Sequence, residues 1–341
     1  MRRDDFLPVL DDIRAGKTLS EEESGRVFDM IMSGSVAEDD LATFLKALTE
    51  RQPTVAELVG AVRAMRRVMT SIEANPYAID LCGTGGDGAN TLNISTASAF
   101  VVAACGVPVA KHGNRSMSSK SGTADCLEAL GVNIALSPAQ ASQCLREAGL
   151  CFLFAQAYHP AMKHVAPVRQ RLGIRTIFNL IGPLSNPARV RRQLVGVYDK
   201  AWTVPIAEVL GRLGAERAWV VHGDDGLDEI TVSGVTHVAV LEGGKVTARE
   251  VTPEEAGVGR WPLEAVRGAD AARNAAALRR LLEGERGAYR DIVLINSAGA
   301  LAAAGKAADL RAGVALAAET IDSGAARQKL EKLVSVSKAA A

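Results

Sequence analysis

The sequence predicts an α/β fold in two parts: a small all-helical domain, then a large α/β domain with a mostly parallel central sheet. Three features require it. From the N-terminus to about residue 72, apolar residues recur only at helical spacing. Asn75-Pro76 then breaks the pattern, because proline disfavours helical geometry in the residue before it. Beyond Pro76, strand-like and helix-like runs alternate over about 250 residues, as in a parallel sheet with crossover helices.

Each element has a local cause. Ser20 with Glu23 and Thr54 with Glu57 have capping-box spacing, each ahead of an amphipathic run. The stripes Val27, Met30, Ile31, then Leu41, Phe44, Leu45, Leu48, then Leu58, Val62, Met65, Met69 read as core or dimer interface. Ala78 to Cys82 is predicted as the first strand, followed by a Gly-rich turn and a helix from about Ile94 to Cys105. Val107 to Ala110 is the next predicted strand, Ala124 to Leu130 a helix, and Val132-Asn133-Ile134 a short strand. Ser137-Pro138-Ala139-Gln140 opens another helix, with proline at its first position. Cys151 to Ala155 reads as a buried strand. His159 to Pro187 reads as helical over Met162 to Arg171 and Arg175 to Leu180, and can return to the N-terminal helices. Strands are predicted at Leu194 to Tyr198 and Ala218 to Val221, with a helix around Val204 to Leu213 between them. Val238 to Leu241 with Gly243-Gly244 predicts an antiparallel hairpin, and from Ala269 the chain is Ala-rich and helical. The expected boundaries are a helical domain over 1–74 joined by about 168–188, an α/β domain over 75–167 and 189–337, and a tail over 338–341.

Composition narrows the function. At about 150 residues per domain, 341 residues suit two domains. Lys+Arg and Asp+Glu both number 39, so the formal net charge is zero. That argues against a nucleic-acid partner, which needs a basic field. Aromatics at 4% argue against base-stacking platforms. No apolar run reaches the roughly 20 residues that span a bilayer. Met1-Arg2-Arg3-Asp4-Asp5 is no signal peptide, so a cytoplasmic protein without a membrane partner is expected. Cys82, Cys105, Cys126, Cys144 and Cys151 contain no C-x-x-C pair and read as reduced thiols.

Gly83-Thr84-Gly85-Gly86-Asp87-Gly88 matches G-x-G-x-x-G between the first strand and its helix. Backbone N–H groups of such a loop, with the helix N-terminus, face a phosphate. On the motif alone, a phosphate cradle, a dinucleotide loop and a structural turn all fit. A dinucleotide loop needs an acidic residue about 20 positions on, where Lys111-His112-Gly113-Asn114-Arg115 stands instead. No Gly-Lys-Ser/Thr closes the turn, which excludes a Walker loop. Asp87 in a phosphate loop must engage a hydroxyl or a metal ion. Asn93-Ile94-Ser95-Thr96 offers an amide and hydroxyls, as cap or as phosphate or Mg²⁺ ligands. Lys111 to Ser119 packs cations, a glycine, an amide and serines into one loop able to hold a pyrophosphate; a solvated basic turn accounts for the charges only. Asp224-Asp225-Gly226-Leu227-Asp228-Glu229 follows a strand, where open α/β sheets bind ligands. Asp228-Glu229 can supply the carboxylates that Mg²⁺ takes beside phosphate oxygens, or the segment is an exposed acidic turn. His159 and His164 lack the zincin spacing. Arg169 and Arg175 flank the helical insert and pair either an acceptor carboxylate or surface acids.

These motifs, in this order over nearly the whole chain, resemble the anthranilate phosphoribosyltransferase family. The likeness rests on Gly83 to Asp87, Asn93 to Thr96, Lys111 to Ser119 and His159-Pro160-Ala161-Met162-Lys163. It rests also on Arg175-Thr176-Ile177-Phe178-Asn179 with Gly182-Pro183-Leu184, and on Asp224 to Glu229. It implies the fold shared with pyrimidine nucleoside phosphorylases. It implies transfer of the phosphoribosyl group of 5-phosphoribosyl 1-pyrophosphate (PRPP) to anthranilate, releasing pyrophosphate, in tryptophan biosynthesis. Mg²⁺ is the implied cofactor, two ions per monomer, and a homodimer through the helical domain is the implied assembly. By resemblance, PRPP contacts Gly83, Gly86, Asp87, Thr91, Asn93, Ile94, Ser95 and Thr96. It further contacts Lys111, His112, Gly113, Asn114, Arg115, Ser116, Met117, Ser118 and Ser119, and Thr123, where many members have serine. Anthranilate meets Gly83, Asn114 and Arg169, while Ser95, Asp228 and Glu229 serve Mg²⁺. Lys111, Arg169 and His112 are the expected catalytic residues, His112 either as a late proton acceptor or as a hydrogen-bonding group of the loop.

The residue types suit that chemistry. Departing pyrophosphate gathers negative charge, which Mg²⁺ and Lys111 stabilise. An aniline-type amine is unprotonated at neutral pH, so positioning and electrostatics dominate. Two rivals are a nucleoside phosphorylase, whose K-H-S-T-G-G type loop differs from Lys111 to Arg115, and a non-enzymatic nucleic-acid-binding relative, opposed by the neutral charge and the intact motifs.

Overall fold

A computed structural model describes residues 5–115 and 121–339 of the chain. Four helices lead: α1 (Leu7–Arg14), α2 (Glu21–Met32), α3 (Glu38–Arg51) and α4 (Val55–Val68). Both predicted capping boxes form, with Ser20 Oγ accepting from the Glu23 N–H and Thr54 Oγ1 from the Glu57 N–H. Glu57 does more than cap. Only 1% exposed, its carboxylate also accepts from the Leu19 N–H at 3.0 Å and takes the Arg51 guanidinium. One buried side chain thereby ties α4 to the end of α3 and to the segment leading into α2.

Phe6, Phe28 and Phe44 fill this bundle, and Phe178 joins them from far along the chain, its ring centroid 5.8 Å from that of Phe28. Val165, Val168, Ile177, Ile181 and Leu184 belong to the same core. Arg66 closes the contact, donating to the Leu184 carbonyl from Nε at 2.9 Å and Nη2 at 2.6 Å.

Seven strands form one sheet: β1 (Ile79–Gly83), β2 (Val109–Gly113), β3 (Leu150–Phe154), β4 (Arg192–Gly196), β5 (Arg217–Gly223), β6 (Thr236–Glu242) and β7 (Lys245–Val251). Their order is β3-β2-β1-β4-β5-β6-β7; β3 through β5 run parallel, and the predicted hairpin adds β6 and β7 antiparallel. Both faces are covered. On β5, Ala218 and Val220 enter the core shared with the N-terminal helices, while Trp219 and Val221 enter a second core. That double burial is why such strands read as unbroken apolar runs. The second core also holds helix α5 (Ile94–Ala104) and the helix Ala288–Ala303.

The winding reverses at β1. The chain passes outward to β2 and β3, then returns to add β4 on the other side of β1. Open α/β sheets bind ligands outside the strands' carboxyl ends at such a reversal.

Three expectations need correction. Val132-Asn133-Ile134 is not a strand: Asn133 donates to Ser337 Oγ at 3.1 Å from its N–H and to the Ser337 carbonyl at 3.4 Å from Nδ2, so it pairs with the last helix instead of the sheet. Met162 to Arg171 is not one helix but a 3₁₀ turn, Pro160–His164, followed by the helix Ala166–Leu172. Pro167 has no N–H for the Lys163 carbonyl, which breaks the run. The last helix continues to Ala339, so Lys338 is helical and not part of a tail.

Glu57→Ala should lower stability by about 3–5 kcal/mol, since it strips a buried pair of one partner. Urea unfolding measures this, and a loss below about 1 kcal/mol would show that the tie contributes little.

Candidate active site

Gly83 ends β1 and Gly196 ends β4, and the two are register partners. The space a Cβ would take at each is filled by Asp228: its carboxylate stands over Gly83 and its backbone over Gly196. Asp228 Oδ2 also accepts from the Gly85 N–H at 2.7 Å. The acidic segment after β5 is thus laid across the ends of two strands, and the glycine loop folds back onto it. Gly85 and Gly86 have φ of 65° and 76°, a conformation that glycine adopts freely.

Asp87, Asp228 and Glu229 are close enough to repel one another. Burial, and then the charge of Asp87, pushes the Asp228 carboxyl above the usual range. Burial, and then Asp228, does the same to Glu229, while Lys111 opposes it. Lys111 is only 3% exposed; its ammonium donates to the Leu81 carbonyl and, at 3.1 Å, to Ser95 Oγ. It therefore acts from inside the sheet, on Ser95 and Glu229. Among the described residues, neither Asp228 nor Glu229 forms an ion pair with Lys, Arg or His. This surplus of negative charge suits a divalent cation. No three acid, histidine or cysteine side chains among the described residues make a complete ligand set. Mg²⁺ commonly takes one or two carboxylates and completes its shell with substrate phosphate oxygens and water, so the residues present fit it.

The start of α5 is held by residues from far along the chain. Asn93 does not cap it: its Oδ1 accepts from Asn274 Nδ2 at 3.0 Å, and its carbonyl from the Tyr289 hydroxyl at 3.2 Å. An uncapped helix N-terminus leaves N–H groups for an anion. Thr91 bridges Arg267, and Gly268 leaves room for the Thr91 backbone. Ile94 is buried, and Thr96 Oγ1 lies 3.4 Å from Thr123 Oγ1, so those hydroxyls meet each other.

On β2, the His112 N–H donates to Asp80 Oδ1 at 3.0 Å, and Asn186 Nδ2 reaches Asp80 Oδ2 at 2.7 Å and the Ala110 carbonyl at 2.8 Å. The buried His112 ring lies 5.2 Å from that of His159. Burial, with His159 beside it, pulls the His112 imidazole far below its ordinary range, so it stays neutral. Gly113 ends the strand against Phe152 and Thr123. Asn114 Oδ1 accepts from the Arg115 N–H at 2.8 Å. Arg115 is committed within the protein, pairing with Asp125 at 2.7 Å and Glu128 at 2.6 Å and lying over Phe154. Ser116, Met117, Ser118 and Ser119 lie outside the described residues.

The helical insert supplies the opposite charge. Arg169 is half-buried, lies over the Phe178 ring at 5.7 Å and donates to Asn179 Oδ1 at 3.4 Å. Its Nε is buried without a hydrogen-bond partner, it has no ion pair among the described residues, and burial lowers its pKa. A guanidinium without a counter-ion, next to an aromatic ring, is a receptor for an aromatic carboxylate. Arg175 does something else. It donates to the Gly86 carbonyl and lies 4.4 Å from the Tyr198 ring centroid, while the Tyr198 N–H donates to Thr84 Oγ1 at 3.0 Å. It ties the insert to the glycine loop.

Four residues of the site carry no motif: Asn186, Gly196, Asn274 and Tyr289. Leu194-Val195-Gly196 repeats the apolar-then-glycine strand end of Leu81-Cys82-Gly83, which is a usable signal. Asn274 is a polar residue in an Ala-rich helix. Tyr289 has no local signal.

Residues 75–327 match the glycosyl transferase family, a/b domain, and residues 7–69 match the helical bundle domain of the glycosyl transferase family. The chain is similar to an anthranilate phosphoribosyltransferase of Rhodopseudomonas palustris (strain TIE-1), with 53% identity over 98% of this chain and 99% of that protein. The protein of the same name from Azorhizobium caulinodans is 54% identical over 98% of both chains. Among solved structures, the anthranilate phosphoribosyltransferase of Thermus thermophilus superposes with a TM-score of 0.91 at 44% identity, covering 96% of this chain and 99% of that one. The Saccharomyces cerevisiae enzyme in complex with PRPP and Mg gives 0.89 at 26% identity, covering 98% of each chain.

The buried histidines set a pH dependence. Burial lowers His159 to about 4, whereas an unfolded imidazole takes its proton near about 6.5. The unfolded chain therefore binds more protons between those values. Stability from this group is complete above about pH 6.5 and is lost as pH falls toward about 4. Asp228 and Glu229, held above the carboxylate range, act in the opposite sense, so a difference measurement isolates the histidine. Between pH 7 and about pH 4.5, His159→Gln should lose about 2–3 kcal/mol less stability than the unaltered protein in urea unfolding. Equal losses would show that His159 is not held neutral.

Proposed function

The chain belongs to the anthranilate phosphoribosyltransferase family, and on that premise we propose how it transfers the 5-phosphoribosyl group of PRPP to the amine of anthranilate. The products are N-(5-phosphoribosyl)anthranilate and pyrophosphate, in tryptophan biosynthesis. One observation supports this reading above the rest: among the described residues neither Asp228 and Glu229, beside the glycine loop, nor Arg169, on the helical insert, forms an ion pair.

The glycine loop and the start of α5 bind the phosphates through backbone N–H groups. Asp228, Glu229 and Ser95 would hold Mg²⁺, two ions per monomer, and the metal when bound neutralises charge on the departing diphosphate. Lys111 orients the Ser95 hydroxyl and offsets the charge of Glu229 from within the sheet. Arg169 takes the acceptor carboxylate beside Phe178, which aims the amine at the ribose. The amine already has a free lone pair, so no strong base is required. His112, neutral and buried, serves as a hydrogen-bonding group and not as a cation. Catalysis is then orientation plus electrostatic stabilisation. The family likeness supports a homodimer through the helical part. Among the described residues no helix is long and apolar enough to cross a membrane.

Loss of anthranilate fluorescence on adding PRPP and Mg²⁺, abolished by EDTA, is the expected result; no loss with both present would refute the activity. Arg169→Ala should raise the anthranilate KM by about 10- to 150-fold with little change for PRPP. An unchanged anthranilate KM removes Arg169 from this role. Asp228→Asn combined with Glu229→Gln should weaken Mg²⁺-dependent turnover, and an unaltered metal dependence would exclude the pair as ligands.

A further inference from the structure

Asn296 lies inside the helix Ala288–Ala303, fully buried in a stretch that is otherwise apolar except for the neighbouring Ser297. Its Oδ1 accepts from the Ile230 N–H at 2.9 Å, and its Nδ2 donates to the carbonyls of Ile230 and Ile292, both at 2.8 Å. One amide thus satisfies both backbone groups of the residue that follows Glu229, as a neighbouring strand would. Gly299 lies three residues further along the same helix face. A Cβ there would run into Ile230 Cδ1. The helix therefore offers hydrogen bonds to the backbone of Ile230 and a notch for its side chain. On the opposite side, Gly83 and Gly196 leave the room that Asp228 fills. Asp228-Glu229-Ile230 is threaded between two strand ends and a helix, each shaped to receive it.

A buried amide that lost these partners would leave polar groups unsatisfied, so the segment has one low-energy position along the helix. We propose that Asn296 is a positioning residue: it sets Asp228 and Glu229 at the place, relative to the glycine loop and Ser95, where the magnesium diphosphate is gripped. This rests on the reading of Asp228 and Glu229 as magnesium ligands. Partners that orient metal ligands typically alter metal affinity by about 10- to 100-fold when removed.

The test is calorimetric titration of PRPP with Mg²⁺ present into the full chain and three variants, with the melting temperature of each recorded. Asn296→Ala should bind about 10- to 100-fold more weakly. Gly299→Ala keeps every hydrogen bond and crowds the Cδ1 tip of the Ile230 side chain; it should weaken binding in the same direction. Leu10→Ala, in α1 and in the other core, should lower the melting temperature and leave the affinity unchanged. A folded Asn296→Ala with unaltered affinity overturns the proposal, and Gly299→Ala decides in the same way if Asn296→Ala does not fold. Equal weakening by Leu10→Ala also overturns it, because lost stability alone would then explain the effect. If the unaltered chain binds no PRPP with Mg²⁺, the ligand reading itself fails and the proposal with it, a result distinct from variants that bind normally.

Discussion

The site depends on one constraint: two neighbouring parallel strands end at the same level in residues that have no side chain. Gly83 and Gly196 are register partners, and the volume that side chains would occupy there belongs to Asp228. Alanine at either position would leave the ladder of the sheet intact but force the acidic segment away. The Gly85 N–H would then lose its carboxylate, and the glycine loop its anchor. The backbone of the sheet provides the room in which the negative charges of the crevice stand.

Those charges are kept from neutralising themselves. Among the described residues Asp228 and Glu229 form no ion pair, with Lys111 offsetting part of the charge of Glu229 from a distance, and Arg169 forms none either. The separation follows from the architecture. The carboxylates hang from the strand ends, while Arg169 rides on a segment packed into the core of the N-terminal helices. Unpaired, part-buried charge lowers stability, as is common where a protein is shaped to bind and not only to fold.

What could be read from the sequence was local. The capping boxes at Ser20 and Thr54, the glycine loop and the strand before it are specified by residues a few positions apart. Lys111 was legible as a cation near phosphate, but nothing nearby shows that its ammonium lies inside the sheet against Leu81 and Ser95. Arg115 has the same charge and a similar place in its motif, yet its partners are Asp125 and Glu128. Asn133 has strand-like neighbours, and its partner is Ser337 in the last helix. In each case the deciding contact comes from a separate element, and the type of residue does not reveal which.

The segment from Val165 to Leu184 owes its cohesion to the N-terminal helices through Phe28, Phe44 and Phe178. On the proposed reading, recognition of the aromatic acid inherits the firmness of that bundle, whereas recognition of the diphosphate inherits that of the sheet. A change that loosens the bundle and not the sheet would then disturb the seat of the acceptor and leave that of the sugar donor in place.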